Sequence, residues 1–233
     1  MHLTRNKVCL LLLISALSFF VYFPSYAKVL YSINFSQPST QDARKWLTSQ
    51  KYNFEADAKY PSELGLLFKN KALVLDAKTQ LFALIINRSL HLNNAKTIKI
   101  EWGVNKFPVG ANYEKHINNE AIMVYVYFGD KKLSSDSIFI PNSPYFIGLF
   151  IGKEEKLNTP FIGRHFTQGG RFICLANPKL GETITSEYNL EKGFKESFGK
   201  KLDVPFISGI ALEVETSSTT PSKAFIKKIE ICD

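Results

Sequence analysis

Glu213 and Glu215 stand two residues apart in the stretch GIALEVE (209–215), where Ile210, Leu212 and Val214 alternate with Ala211, Glu213 and Glu215. Strict alternation is a strand signal. Both carboxyls therefore project from one face of one strand, about 6.5–7 Å apart at a rise of ~3.3 Å per residue. Glycosidases place two carboxyls about 5–5.5 Å apart for retention of configuration and about 6.5–9.5 Å apart for inversion. The spacing admits a glycan-cleaving enzyme with Glu213 and Glu215 as its acids. Polar residues on the wet face of any half-exposed strand look the same, and no third acid lies in this strand. The two glutamates are accordingly read first as ligand-contacting groups, and no residue is assigned a catalytic role.

A second constellation is aromatic. In IMVYVYF (122–128), Ile122, Val124, Val126 and Phe128 share one side, and Met123, Tyr125 and Tyr127 share the other. Tyrosine suits a place where one end is apolar and the other wet. A sheet face carrying Tyr125, Tyr127 and Trp102 would stack against sugar rings. Glu213 and Glu215 would then supply the few polar groups that an otherwise apolar binding site needs. The alternative is a strand buried on both sides, its tyrosine hydroxyls bonded within the core.

The remaining reactive residue types form no set. His116 sits in a polar loop near Glu114, Asn118, Asn119 and Glu120, with no nucleophile elbow and no second histidine at ligand spacing. His91 and His165 are equally solitary, so all three read as ordinary surface histidines. No Cys or His pair has the spacing of a metal site, and no cofactor is expected. Cys174 and Cys232 could bridge in an oxidising compartment. That bond would close a loop of about 58 residues and contribute on the order of 4 kcal/mol. Two separate buried thiols are the other reading.

The elements that must position these groups are mostly strands. VLYSINF (29–35) and TIKIEW (97–102) alternate as GIALEVE does, with Ile98, Ile100 and Trp102 set against Lys99 and Glu101. LGLLFK, ALVLDA, LFALIIN, IMVYVYF and YFIGLFIG are apolar on both faces and suit central strands. Turn signals such as Lys69-Asn70-Lys71, Gly129-Asp130 and Gly169-Gly170 separate them. Strands recurring at short intervals without alternating helices predict an all-β, antiparallel β-sandwich, jelly-roll-like. Two short peripheral helices are expected. Residues 39–50 form one, with Ser39 or Thr40 at its N-cap and Trp46-Leu47 as its apolar contact. Residues 189–201 form the other, with Asn189 at the cap, Gly199 at the end and Leu190, Phe194 and Phe198 as one apolar stripe.

The first 27 residues read as a secretory signal. Arg5 and Lys7 precede an uncharged apolar run (8–23), and Ser25-Tyr26-Ala27 supplies small residues for cleavage before Lys28. An uncleaved anchor is the competing reading. Cys9 opens the apolar run, so it is not the acylated cysteine of a lipoprotein. The expected domain is then 28–233, a single β-sandwich. Removing Arg5 and Lys7 from the formal +8 leaves +6, spread along the chain in isolated pairs such as Lys131-Lys132, Lys200-Lys201 and Lys227-Lys228. Dispersed charge and export both argue against a nucleic-acid partner.

Two regions carry a resemblance. YNLEKGFKESFGKK followed by ISGIALEVETSSTTPSKAFIKKIEI, and EWGVNKFPVG followed by NNEAIMVYVYFG, are similar to a bacterial envelope family designated only as domain of unknown function number 3047, over about residues 30–231. The chain departs from that family's pattern in having Asn119-Glu120 where members have paired aspartates. It also has Glu215-Thr216-Ser217-Ser218-Thr219 where they have an Asp-rich turn. The resemblance implies an exported β-sandwich of the periplasm or cell exterior with no assigned chemistry. The function expected is a non-catalytic module for a glycan or other extended ligand. The alternatives are the glycan-cleaving enzyme and a protein-interaction module that meets another envelope protein. Membrane contact is expected only through the leader before cleavage.

Overall fold

A computed structural model describes residues 27–233. Residues 1–26, which hold most of the expected leader and Cys9, lie outside the described residues. In chain order the elements are β1 (Val29–Asn34), α1 (Ala43–Ser49), β2 (Asn53–Ala56), β3 (Leu64–Lys69), β4 (Ala72–Ala77), β5 (Phe82–Asn87), β6 (Thr97–Lys106) and β7 (Glu120–Leu133). They continue with β8 (Ser143–Ile151), β9 (Pro160–Phe161), β10 (Gly170–Ala176), β11 (Ile184–Asn189), α2 (Leu190–Phe198), β12 (Ile207–Glu215) and β13 (Lys223–Cys232). The first sheet runs β11-β6-β13-β4-β3, with β1 also paired to β13; the second runs β2-β5-β12-β7-β8-β10-β9. All pairs between these strands are antiparallel except β8–β10, which is parallel. The expected antiparallel sandwich with two short helices is what forms.

Local chemistry places the turns. Between β3 and β4 only Asn70 and Lys71 intervene, both at positive φ (53° and 56°), the backbone a two-residue hairpin requires. Helix α1 starts later than expected, because Asp42 and not Ser39 or Thr40 is its cap: the Asp42 carboxylate accepts from the Lys45 N–H at 3.0 Å. Thr40 instead accepts from the Asp42 N–H at 3.3 Å. Helix α2 is capped as expected, with the Asn189 side chain accepting from the Lys192 N–H at 2.8 Å. Leu190 and Phe194 are buried, and the Phe198 ring packs 4.7 Å from Tyr145.

The two sheets meet over one apolar layer. Ile98, Ile100 and Trp102 of β6 and Ile226, Ile229 and Ile231 of β13 face Ile122, Val124 and Val126 of β7 and Ile210, Leu212 and Val214 of β12. Each such side chain removed from water contributes about 1.5–3 kcal/mol. Trp102 is fully enclosed here, its indole N–H donating to Ser186 Oγ at 3.0 Å. It is a core residue of the first sheet and is not on the tyrosine face.

The second sheet has another apolar layer on its far side. Leu84, Ile86, Met123, Tyr125, Tyr127, Phe146, Phe150, Phe161, Phe172, Cys174 and Ala211 gather there with Tyr113 and Phe166 from the connections. That corrects one expectation. The face of β12 bearing Ala211 and Glu213 is not wet; both residues are buried, because loops fold back across it.

Cys174 lies in β10 of the second sheet and Cys232 ends β13 of the first; both are free thiols and both are buried. The bridge considered from the sequence does not form. The Cys174 thiol points to Asn177 Oδ1 at 3.2 Å, and burial pushes it up to about 12.

Candidate functional site

Tyr125, Tyr127 and Glu213 share the outer face of the second sheet because β7 and β12 are paired strands of period two. Glu213 lies opposite Met123, Ala211 opposite Tyr125, and Gly209 opposite Tyr127. Small residues flank the Tyr125 ring on both sides, Ala211 on β12 and Gly148 on β8. A Cβ on Gly148 would sit 2.3 Å from Met123 Sδ and 3.1 Å from the Tyr125 ring, so the tyrosine can lie down only over glycine. The Tyr125 hydroxyl then reaches the Glu213 carboxyl and donates to it at 2.9 Å. The two tyrosine rings stack at 5.8 Å and 24°.

Half of this face is closed. The loop between β6 and β7 folds over it, and the Tyr113 ring stacks on Phe150 at 4.1 Å and 19°. The Tyr113 hydroxyl donates to Glu120 Oε2 at 2.5 Å. His116 ends the short turn of this loop, exposed and in a left-handed conformation (φ 60°), and it has no catalytic partner. The loop is therefore the roof of the closed half. The other half is an open groove of about 570 Å³. Leu84, Ile86, Tyr125, Tyr127, Phe146 and Phe166 supply its apolar lining, and Glu55, Arg88, Asp130, Lys132, Asn142 and Glu213 its polar groups. Arg88 and Glu55 form a two-toothed ion pair at the lip, one of its bonds at 2.9 Å, and that pairing holds the Glu55 carboxyl below its ordinary range.

The electrostatics follow from burial. Glu120 and Glu213 are 2% and 6% exposed. Burial, then the charge of Glu215, pushes Glu213 up to about 8. Burial first and the Glu213 charge second push Glu120 well above the carboxylate range, against the pull of the Tyr113 bond. The Tyr113 hydroxyl takes Glu120 Oε2, and Glu120 Oε1 meets no partner. Burial raises the Tyr113, Tyr125 and Tyr127 phenols as well, so each stays neutral, and those of Tyr113 and Tyr125 donate to the buried carboxyls. The site presents neutral phenols and two buried carboxyls over aromatic surface, and the Arg88–Glu55 pair, Asp130 and Lys132 add charge to the groove lining.

The sequence-predicted residues separate here. Tyr125, Tyr127 and Glu213 line the groove; Trp102 does not. Glu215 lies outside the groove lining, half-buried, with its carboxylate accepting from the Ser217 N–H at 2.8 Å. Its neighbour in register is Glu120. Of the two glutamates only Glu213 lines the groove, whereas a glycosidase sets two carboxyls beside the bond it cleaves. Among the described residues no group of three or more His, Cys, Asp or Glu could hold a metal ion.

Glu120, Tyr113, Arg88 and Phe146 belong to the site and went unremarked as site residues in the sequence. For Glu120 the reason is a bulge. From Glu213 to Glu215, β12 advances two residues while β7 advances three, from Met123 to Glu120. Strict alternation would set Glu120 beside Ile122 on the core side; the extra residue turns it to the outer face. Arg88 lies just past the end of β5, on the parity of Leu84 and Ile86, and that parity was its only signal.

No family model matches the chain, and no curated protein matches it. The chain is similar to several solved structures at low identity. The carbohydrate recognition domain of Emp46p in its potassium-bound form superimposes at a TM-score of 0.44 and 12% identity, covering 86% of this chain and 95% of that one. A mutant family 29 carbohydrate-binding module gives 0.36 and 7%, covering 86% and 83%. The agarase AgWH50C gives 0.38 and 8%, covering 88% of this chain and 24% of the enzyme.

Proposed function

We propose that the chain is an exported, non-catalytic binding protein of a bacterial envelope, and that it takes an extended glycan in the groove on the outer face of its second sheet. One observation carries this reading: Tyr125, Tyr127 and Glu213 converge on a single open groove of about 570 Å³. Such a groove matches the volume and mixed lining of ligand sites. The partly exposed Tyr127 ring offers its face to the apolar side of a sugar. The Glu213 carboxyl, Asn142 and the Arg88–Glu55 pair stand where hydroxyl groups would meet them. Export is supported by the leader-like residues 1–27.

The test is a panel of soluble oligosaccharides and cell-wall fragments titrated into residues 28–233, which contain both sheets and both helices. At least one glycan is expected to bind, and Tyr127→Ala should weaken it tenfold or more, the loss of about 1.4 kcal/mol or more. No reducing ends should appear on prolonged incubation. An unchanged affinity in Tyr127→Ala removes the groove from consideration. Turnover that Glu213→Gln abolishes would establish the enzyme instead.

A further inference from the structure

The segment between β7 and β8 carries the two most exposed large apolar side chains among the described residues, Ile138 at 91% and Phe139 at 89%. They are adjacent, and their loop is braced. The fully buried Ser135 hydroxyl reaches the Ile140 and Ser137 carbonyls at 2.5 and 2.9 Å. The Asn142 side chain accepts from the Ser135 N–H at 3.2 Å, and Ser137 Oγ accepts from the Phe139 N–H at 3.2 Å. Asp136 ties the loop sideways, accepting from both the N–H and the hydroxyl of Thr167 at 2.7 Å. A braced loop that holds an isoleucine and a phenylalanine wholly in water has folded so as to present them.

The charge around its feet is positive. Lys131 and Lys132 lead into the loop, Arg164 stands three residues before Thr167, and Arg171 donates to the Thr167 carbonyl at 2.9 Å. Asp130 and Asp136 oppose them, and the balance keeps the sign of the chain as a whole. Apolar side chains at a tip with cations at its base fit one kind of partner, an anionic lipid surface that accepts the tip among its headgroups.

We propose that Ile138 and Phe139 insert into the interface of an anionic phospholipid bilayer, with Lys131 and Arg164 against its headgroups. The contact is peripheral; no helix among the described residues is long and apolar enough to cross a membrane. It goes beyond the sequence expectation of membrane contact through the leader alone, and it stands independently of what the groove binds.

Residues 28–233 are floated with vesicles of equal phosphatidylglycerol and phosphatidylcholine, and with vesicles of phosphatidylcholine alone. Binding is expected to the anionic vesicles and to be at least tenfold weaker to the neutral ones. The double variant Ile138→Ser, Phe139→Ser should lose it at least tenfold while keeping its melting temperature, since neither side chain is packed. Lys131→Gln should weaken it on the order of fivefold and lessen its salt sensitivity. Failure of the wild type to bind anionic vesicles overturns the proposal. So does binding that the double variant retains. A dimer in sedimentation velocity that the double variant dissolves, without vesicle binding, would assign the tip to a second copy instead.

Discussion

Glu213 is where chemistry and stability meet most closely. Its folded-state value of about 8 lies above the ordinary carboxyl value of 4.5. The native state thus holds more protons than the unfolded chain between those limits. The stabilising contribution is complete below about pH 4.5 and is lost as pH rises through about 8, at ~1.4 kcal/mol per pH unit for each proton. Urea denaturation is expected to give a midpoint that falls from pH 5 to pH 8, with a shallower fall in Glu213→Gln. A midpoint that rises over that window would contradict the buried, protonated pair. Tyr125→Phe removes the donor that holds the Glu213 carboxyl at 2.9 Å and should cost about 1–3 kcal/mol. At this scale the sequence was legible where period two holds. Parity alone sets Tyr125 and Tyr127 together and sets Ala211 beside Glu213. It also sets Trp102 with Ile98 and Ile100, on the dry side; placing Trp102 on the platform went against its own strand's pattern. Glu120 was illegible because one inserted residue reverses the parity.

At the scale of elements, β1, β3 to β8, β12 and both helices could be read; β2, β9, β10, β11 and the layer above the second sheet could not. Alternation says which face a residue takes but not what covers that face. The roof is built by residues far apart in sequence, Tyr113 and Phe166 of the connections and Phe161 of the two-residue β9, whose spacing carries no period. Removing the roof should show its role. Tyr113→Ala takes away the Phe150 stack and the bond to Glu120, with an expected loss of about 3–5 kcal/mol by analogy with buried aromatic truncation, measured by urea denaturation at pH 6. Glycan affinity in a Tyr113→Phe variant, which keeps the ring, should remain within about twofold of the wild type, because Tyr113 lies outside the groove lining. The helix caps are a smaller matter. Asn189→Ala should cost ~1 kcal/mol through loss of the 2.8 Å bond to the Lys192 N–H.

The whole molecule is three structural layers deep in places, the first sheet, the second sheet and the partial roof beyond it, with two apolar layers between them. Its stability rests on that burial and not on a covalent staple. Cys174 and Cys232 are free, buried thiols, so a reducing agent should leave the melting temperature of residues 28–233 unchanged, and two thiols should react only after denaturation. The layering also explains the groove. Roofing only half of an aromatic sheet face leaves a step, and the open side of that step holds Tyr127, Arg88 and Glu213. The most direct test of that site is amide chemical-shift mapping of residues 28–233 during titration with the tightest-binding oligosaccharide. Shifts are expected along residues 125–130, 140–144 and 208–213. Shifts confined to the outer face of the first sheet, around Val74 and Phe225, would contradict it.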